Sequence, residues 1–172
     1  NVHSGPGHLP LALLAARQGI SLVRTRGDIR APRAGIVQRA LYRRVAHHLV
    51  SADCLRPPYA SLGVPAERIT ELDWWEEHRL PGSEVTVTAA PSQHFSGRGL
   101  KDRNATLWSS LAIRSPHHSV FFSGDTGLTA EYSEIRERLG PFDLVMLEVG
   151  AFHPAWGDIH LGPENALKAH QL

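Results

Sequence analysis

The sequence predicts an α/β fold, and three observations carry that prediction. Short β-branched or alternating runs recur between longer segments of helical periodicity. Glycine and proline punctuate the junctions. Apolar residues make up 42% and charged residues 20% of the 172 positions, which suits a packed core and argues against disorder.

The elements follow in order. His8 to Gln18 reads as an apolar helix ended by Gly19, and Ile20 to Thr25 as a short strand. Ile36 to His48 reads as a helix, because Ile36, Val37, Ala40, Leu41 and Val45 share a face. Leu49 to Ser51 reads as a strand and Asp53 to Leu62 as a helix, closed by Gly63 and kept from restarting by Pro65. Ile69 to Trp75 reads as a strand. Glu84 to Ala90 alternates Val85, Val87 and Ala89 against Thr86 and Thr88, the pattern of a half-buried strand. Leu107 to Arg114 and Ser119 to Ser123 read as strands around the polar turn Ser115-Pro116-His117-His118. Thr129 to Leu139 reads as a helix, and Leu144 to Val149 as a strand buried on both faces. A final helix starts near Glu164, with Gly162 as cap and Pro163 at its first position.

No apolar run approaches the ~18 residues that span a bilayer, and the start lacks the basic region of a signal peptide. Cys54 is the single cysteine, so no intrachain disulfide forms and a cytoplasmic location is expected. The chain starts at Asn1, has Met146 as its only methionine and ends inside a predicted helix; it is expected to be a piece of something longer. Charge is uneven. Residues 1–69 carry ten arginines against Asp28, Asp53 and Glu67, a balance of +7, whereas residues 70–172 balance at −6. The arginines are expected to be scattered over helix surfaces, so no nucleic-acid partner is expected. The abrupt shift marks two domains, an α/β unit over 1–69 and a second unit over 70–172.

His94 follows the strand ending at Ala90, Asp125 follows the strand ending at Ser123 within Ser-Gly-Asp-Thr-Gly, and His160 lies beyond the strand ending at Val149. Loops leaving strand ends are where layered α/β proteins assemble sites. Imidazole plus carboxylate suits zinc or a similar divalent metal, and Gly124 and Gly127 let the backbone turn about Asp125. Arg98, Lys101 and Arg103 follow His94 in a glycine-rich loop, and Arg103 is the candidate for holding an anionic substrate group. Trp74, Trp75, Trp108 and Trp156 are expected in the core or a pocket wall, as is His153. His47, His48, His117 and His118 read as exposed pairs, and Cys54 as a small buried residue.

Five stretches occur in order: Pro91-Ser92-Gln93-His94-Phe95-Ser96, Asp102 to Trp108, Phe121-Phe122-Ser123-Gly124-Asp125-Thr126-Gly127, Gly140-Pro141-Phe142-Asp143-Leu144, and Ile159-His160-Leu161-Gly162-Pro163-Glu164-Asn165-Ala166. With Glu71 to Glu76, they resemble the metallo-β-lactamase-fold branch that contains N-acyl-phosphatidylethanolamine-hydrolysing phospholipase D and, more distantly, ascorbate-6-phosphate lactonase. The likeness covers about residues 65–172. It implies the C-terminal part of an αββα sandwich and one or two zinc ions, with His94 and His160 as metal ligands and Asp125 as the catalytic, metal-bridging carboxylate. It also implies a metal-dependent hydrolase acting on a phosphodiester, lactone or related ester, small or lipid-like. The family's first ligand string, His-x-His-x-Asp-His, does not occur. His3-Ser4-Gly5-Pro6-Gly7-His8 keeps only the outer histidines, so activity is expected to be impaired.

Pro10 to Ala16, Leu22 to Arg26, Leu41 to Ala46 and Gly63 to Ile69 resemble the N-terminal Rossmann-like domain of retaining, two-domain glycosyltransferases. That resemblance implies a Rossmann-like unit ahead of the sandwich. It leaves a glycosyltransferase-derived fragment, or a non-catalytic hybrid, as the alternative function.

Overall fold

The computed structural model describes residues 8–26, 35–50, 55–96, 103–104, 106–150 and 153–172. The chain divides into two compact units, Asn1–Leu72 and Asp73–Leu172. The fold is mixed α/β with two sheets. Among the described residues, no helix is long and apolar enough to cross a membrane.

The first unit alternates strand and helix: α1 (His8–Arg17), β1 (Val23–Arg26), α2 (Ile36–Arg44), β2 (His47–Val50), α3 (Arg56–Ser61) and β3 (Ile69–Glu71). The strands are parallel in the order β1-β2-β3, with Arg24 opposite His48 and His48 opposite Ile69. Here the helix expected over Ile36 to His48 stops at Arg44, and His47–Val50 becomes the fully buried central strand. Burial in the sheet overrides the helical periodicity. The expected apolar face is also displaced, since Ile36 and Val37 are exposed while Leu41 and Tyr42 are buried.

His47 and His48 are 1% and 0% exposed, which corrects the expectation of a surface pair. The core is Tyr42, Val50, Leu55, Tyr59, Leu62, Val64 and Ile69. A cation sits inside it. The Arg24 guanidinium donates to the Tyr59 hydroxyl and lies 5.0 Å from the centre of the Tyr42 ring. His48 donates from Nε2 to the Tyr42 carbonyl at 3.1 Å, and its ring lies 4.7 Å from that of Tyr59. Burial first, with nearby Arg24, His47 and Arg68, lowers the His48 pKa to about 4, so the ring is neutral at pH 7.

The second unit is a sheet in the order β4 (Glu77–Arg79), β5 (Thr86–Pro91), β6 (Ser109–Arg114), β7 (Ser119–Phe122) and β8 (Leu144–Met146). Neighbours are antiparallel up to β7, and β8 joins β7 in parallel after the crossover helix α4 (Glu131–Leu139). A 3₁₀ segment, Pro154–Ile159, leads to α5 (Gly162–Gln171). Ala90, Phe121, Tyr132, Ile135, Leu161, Ala166 and Ala169 form the buried seam between sheet and helices.

Two expectations are corrected here. β8 is an edge strand rather than one buried on both faces, with Leu144 52% and Met146 41% exposed. The strand expected through Trp75 ends at Glu71, and Trp75 takes a left-handed φ of 71° in a turn, its N–H donating to Ala89 O at 2.7 Å. Of the two places expected for Trp156, the core is excluded by its exposure, while its ring lies 6.1 Å from that of His160. The turn at Ser115 to His118 forms as expected, closed by a 2.8 Å bond from Ser115 N to His118 O.

Candidate metal centre

β5, β7 and β8 run in one direction, so their carboxyl ends share one sheet edge. The segments 92–94, 123–127 and 147–148 leave from that edge, and the loop that ends at His160 returns to it through the Glu148 carboxylate.

Gln93 ties these loops together. Its N–H donates to Thr126 Oγ1 at 3.0 Å, its carbonyl accepts from Gly127 N at 2.9 Å, and its Nε2 donates to Asp158 O at 2.9 Å. The two glycines beside Asp125 have different reasons. Gly124 has φ +60°, a conformation that side chains rarely adopt; at Gly127 an added Cβ would lie 1.4 Å from Asp158 O, so the chains approach too closely for any side chain.

The structure brings His94 and His160 together. Their rings lie 5.3 Å apart at 78°. His94 is half-buried, stacked on Phe95 at 4.8 Å and Trp108 at 4.5 Å. Its Nδ1 lies 2.7 Å from the Phe95 carbonyl. That oxygen can only accept, so Nδ1 carries the hydrogen of the neutral ring and the Nε2 lone pair is bare. Burial lowers the His94 pKa, against the upward pull of the Phe95 carbonyl and the Asp125 carboxylate. His160 is arranged alike: its Nδ1 lies 3.0 Å from Glu148 Oε1, so the neutral ring keeps its hydrogen on Nδ1 and its lone pair on Nε2. Asp125 is partly buried, and Trp108 Nε1 donates to its carbonyl at 2.8 Å.

Two imidazoles with bare Nε2 lone pairs fit a divalent cation in donor chemistry. Among the described residues, however, no three His, Cys, Asp or Glu side chains form a group that could hold one. Asp125 acts on His94 through its charge without completing such a group.

Arg103 is exposed beside Asn104, whose N–H donates to Ser96 O at 2.8 Å. His153 is exposed; its Nδ1 accepts from Ala155 N at 3.1 Å, capping the 3₁₀ segment. His3, Cys54, Arg98 and Lys101 lie outside the described residues, as does the side chain of His8. Sequence reasoning misses Glu148, whose carboxylate meets both His160 Nδ1 and Leu161 N, the latter at 2.7 Å. Its signal is a lone carboxylate within the apolar run Leu144 to Val149.

Comparison with known proteins follows the same lines. Residues 19–172 match the Beta-lactamase superfamily domain family. An uncharacterized protein of Mycobacterium tuberculosis is 49% identical over 110 residues, 64% of this chain and 29% of that protein. N-acyl-phosphatidylethanolamine-hydrolyzing phospholipase D 1 of Caenorhabditis elegans is 38% identical over 109 residues, 60% of this chain and 31% of that protein. The chain thus spans under a third of the length of these relatives. Among solved structures, an isothiocyanate hydrolase from Delia radicum gut bacteria superposes with TM-score 0.56 at 17% identity, covering 92% of this chain and 61% of that one. CmlA, a diiron β-hydroxylase from Streptomyces venezuelae, superposes with TM-score 0.54 at 15% identity, covering 88% of this chain and 30% of that one.

The two-sheet α/β fold is that of the metallo-β-lactamase superfamily. The chain belongs to that family. The match begins at residue 19 and so takes in most of the stretch expected to be glycosyltransferase-like; that expectation gains no support, and neither does a separate Rossmann-like unit.

Proposed function

We propose that the chain carries the C-terminal half of a metal-dependent hydrolase site, with His94, Asp125 and His160 facing the metal and Arg103 meeting an anionic part of the substrate. The observation that carries this reading is the pair of imidazoles, His94 and His160, each with Nδ1 bonded to an acceptor and Nε2 left bare. A zinc or similar ion, when bound, supplies Lewis acidity that lowers the pKa of water and steadies charge on a phosphoryl or acyl oxygen. His94 and His160 supply the nitrogen donors, Asp125 supplies negative charge beside them, and stacking on Phe95 and Trp108 fixes the His94 ring. Within the wider class of phosphodiesters, lactones and related esters, the name of the Caenorhabditis elegans relative, an N-acyl-phosphatidylethanolamine-hydrolyzing phospholipase D, supports a lipid-like phosphodiester as substrate.

This reading also has the site impaired, because the sequence lacks the His-x-His-x-Asp-His string and catalytic zinc uses three protein ligands. Elemental analysis of the purified chain, with a chromogenic phosphodiester assay, tests it. The expected result is at most one loosely held zinc per chain and weak, zinc-dependent hydrolysis. Two tightly held metals would refute the impairment, and no zinc binding at all would refute the metal site.

A further inference from the structure

The serines beneath the site form a buried relay that ends at a residue with no assigned role. Ser92 Oγ and Ser110 Oγ lie 2.6 Å apart, and Ser110 Oγ donates to Ser123 O at 2.9 Å. Glu148 N donates to Ser123 Oγ at 3.0 Å, and Ser123 is fully buried. The relay therefore crosses from the segment just before His94, over β5, β6 and β7, to the backbone of Glu148. At its far end Glu148 Oε1 accepts from Leu161 N at 2.7 Å and from His160 Nδ1 at 3.0 Å. Glu148 is thus held from its own N–H and from the start of α5, with its carboxylate side chain only 13% exposed. The Oε1 oxygen is thereby fixed against the His160 ring.

We infer that Glu148 is a positioning residue: it holds His160 as the Nδ1–H tautomer and so keeps the lone pair on Nε2, in a ring 5.3 Å from that of His94. This deepens the metal-site reading and rests on it for its purpose, but the tautomer itself is a property of the metal-free chain. A neutral imidazole carries one hydrogen, and an acceptor at Nδ1 keeps it there. Without that acceptor the hydrogen is free to move to Nε2, where it blocks the donor atom. The ring is also free to turn about its bond to Cβ.

Long-range ¹H–¹⁵N NMR of the metal-free full chain at pH 8 reads the tautomer directly. The unsubstituted protein should show His160 with Nδ1 protonated and Nε2 bare. Glu148→Gln, whose amide oxygen still accepts, should keep that state, and Glu148→Ala should shift it toward Nε2–H. Zinc affinity, read by competition with a chromogenic chelator, should fall about 10- to 100-fold in Glu148→Ala and less in Glu148→Gln. A His160 that is Nε2–H in the unsubstituted protein overturns the proposal whether or not the variants fold, as does a tautomer unchanged in a folded Glu148→Ala. If the unsubstituted chain takes up no zinc, the metal-site reading fails while the tautomer comparison still decides the role of Glu148.

Discussion

Gln93 and Asp158 stand 65 positions apart in the chain, yet the Gln93 amide donates to the Asp158 carbonyl at 2.9 Å. Through that contact the loop after β5 is bound to the segment that delivers His160.

Gln93→Ala removes the link and leaves the two backbone bonds of Gln93 in place. The expected cost is about 1 kcal/mol of stability, read by urea denaturation. A larger effect is expected on zinc affinity, because the His160 segment is then held from one side only. Unchanged zinc affinity would show that the clamp does not set the site.

Gly127→Ala places a methyl group where the Asp158 carbonyl already lies. Backbone must move, and overpacking of this kind costs about 1–3 kcal/mol. Denaturation midpoints and amide shifts at residues 158–160 measure the two effects. An alanine variant as stable as the parent, with those shifts unmoved, would contradict the close approach.

His48 gives the first unit an acid sensitivity. Its folded pKa of about 4 lies below the ordinary histidine value of 6.5, so the unfolded chain binds the proton more readily. Stability from this group is complete above about pH 6.5 and falls as the pH drops toward 4, by an amount on the order of 3 kcal/mol. Urea unfolding at pH 7 and pH 4.5 should show the loss. His48→Phe should flatten that part of the profile, and an equally steep profile in the variant would place the proton elsewhere.

Arg24 and Tyr59 form the polar heart of the same unit. Tyr59→Phe deprives a buried guanidinium of the hydroxyl it donates to, at an expected cost of about 1.5–3 kcal/mol. Arg24→Met removes the charge as well and should cost less, since an apolar residue of similar volume leaves no buried cation to satisfy. The reverse order in thermal or urea unfolding would mean that the cation stabilises the core.

Much of the second unit is legible because its signals are local. The alternation of Val85, Val87 and Ala89 marks β5, though the strand itself runs Thr86–Pro91. The polar turn at Ser115 to His118 separates β6 from β7 as expected. The positions of His94 and His160 follow from strand ends, and the two do meet. What escapes the sequence depends on tertiary partners. Nothing in His47-His48 tells that they form the central strand of a sheet, and Glu148 looks like any acidic residue until His160 arrives beside it. The front is harder still. Strand and helix alternate in many parallel sheets, and a stretch without a catalytic motif cannot separate one such family from another.

The hairpin Ser115 to His118 opens the opposite end of the sheet from His94, Asp125 and His160, because β7 begins at Ser119 and the site lies past its last residue, Phe122. Four strand residues put roughly 13 Å between the two ends. A fluorophore or affinity handle attached at the exposed His117 would therefore report on the domain from the end of the sheet remote from the candidate site.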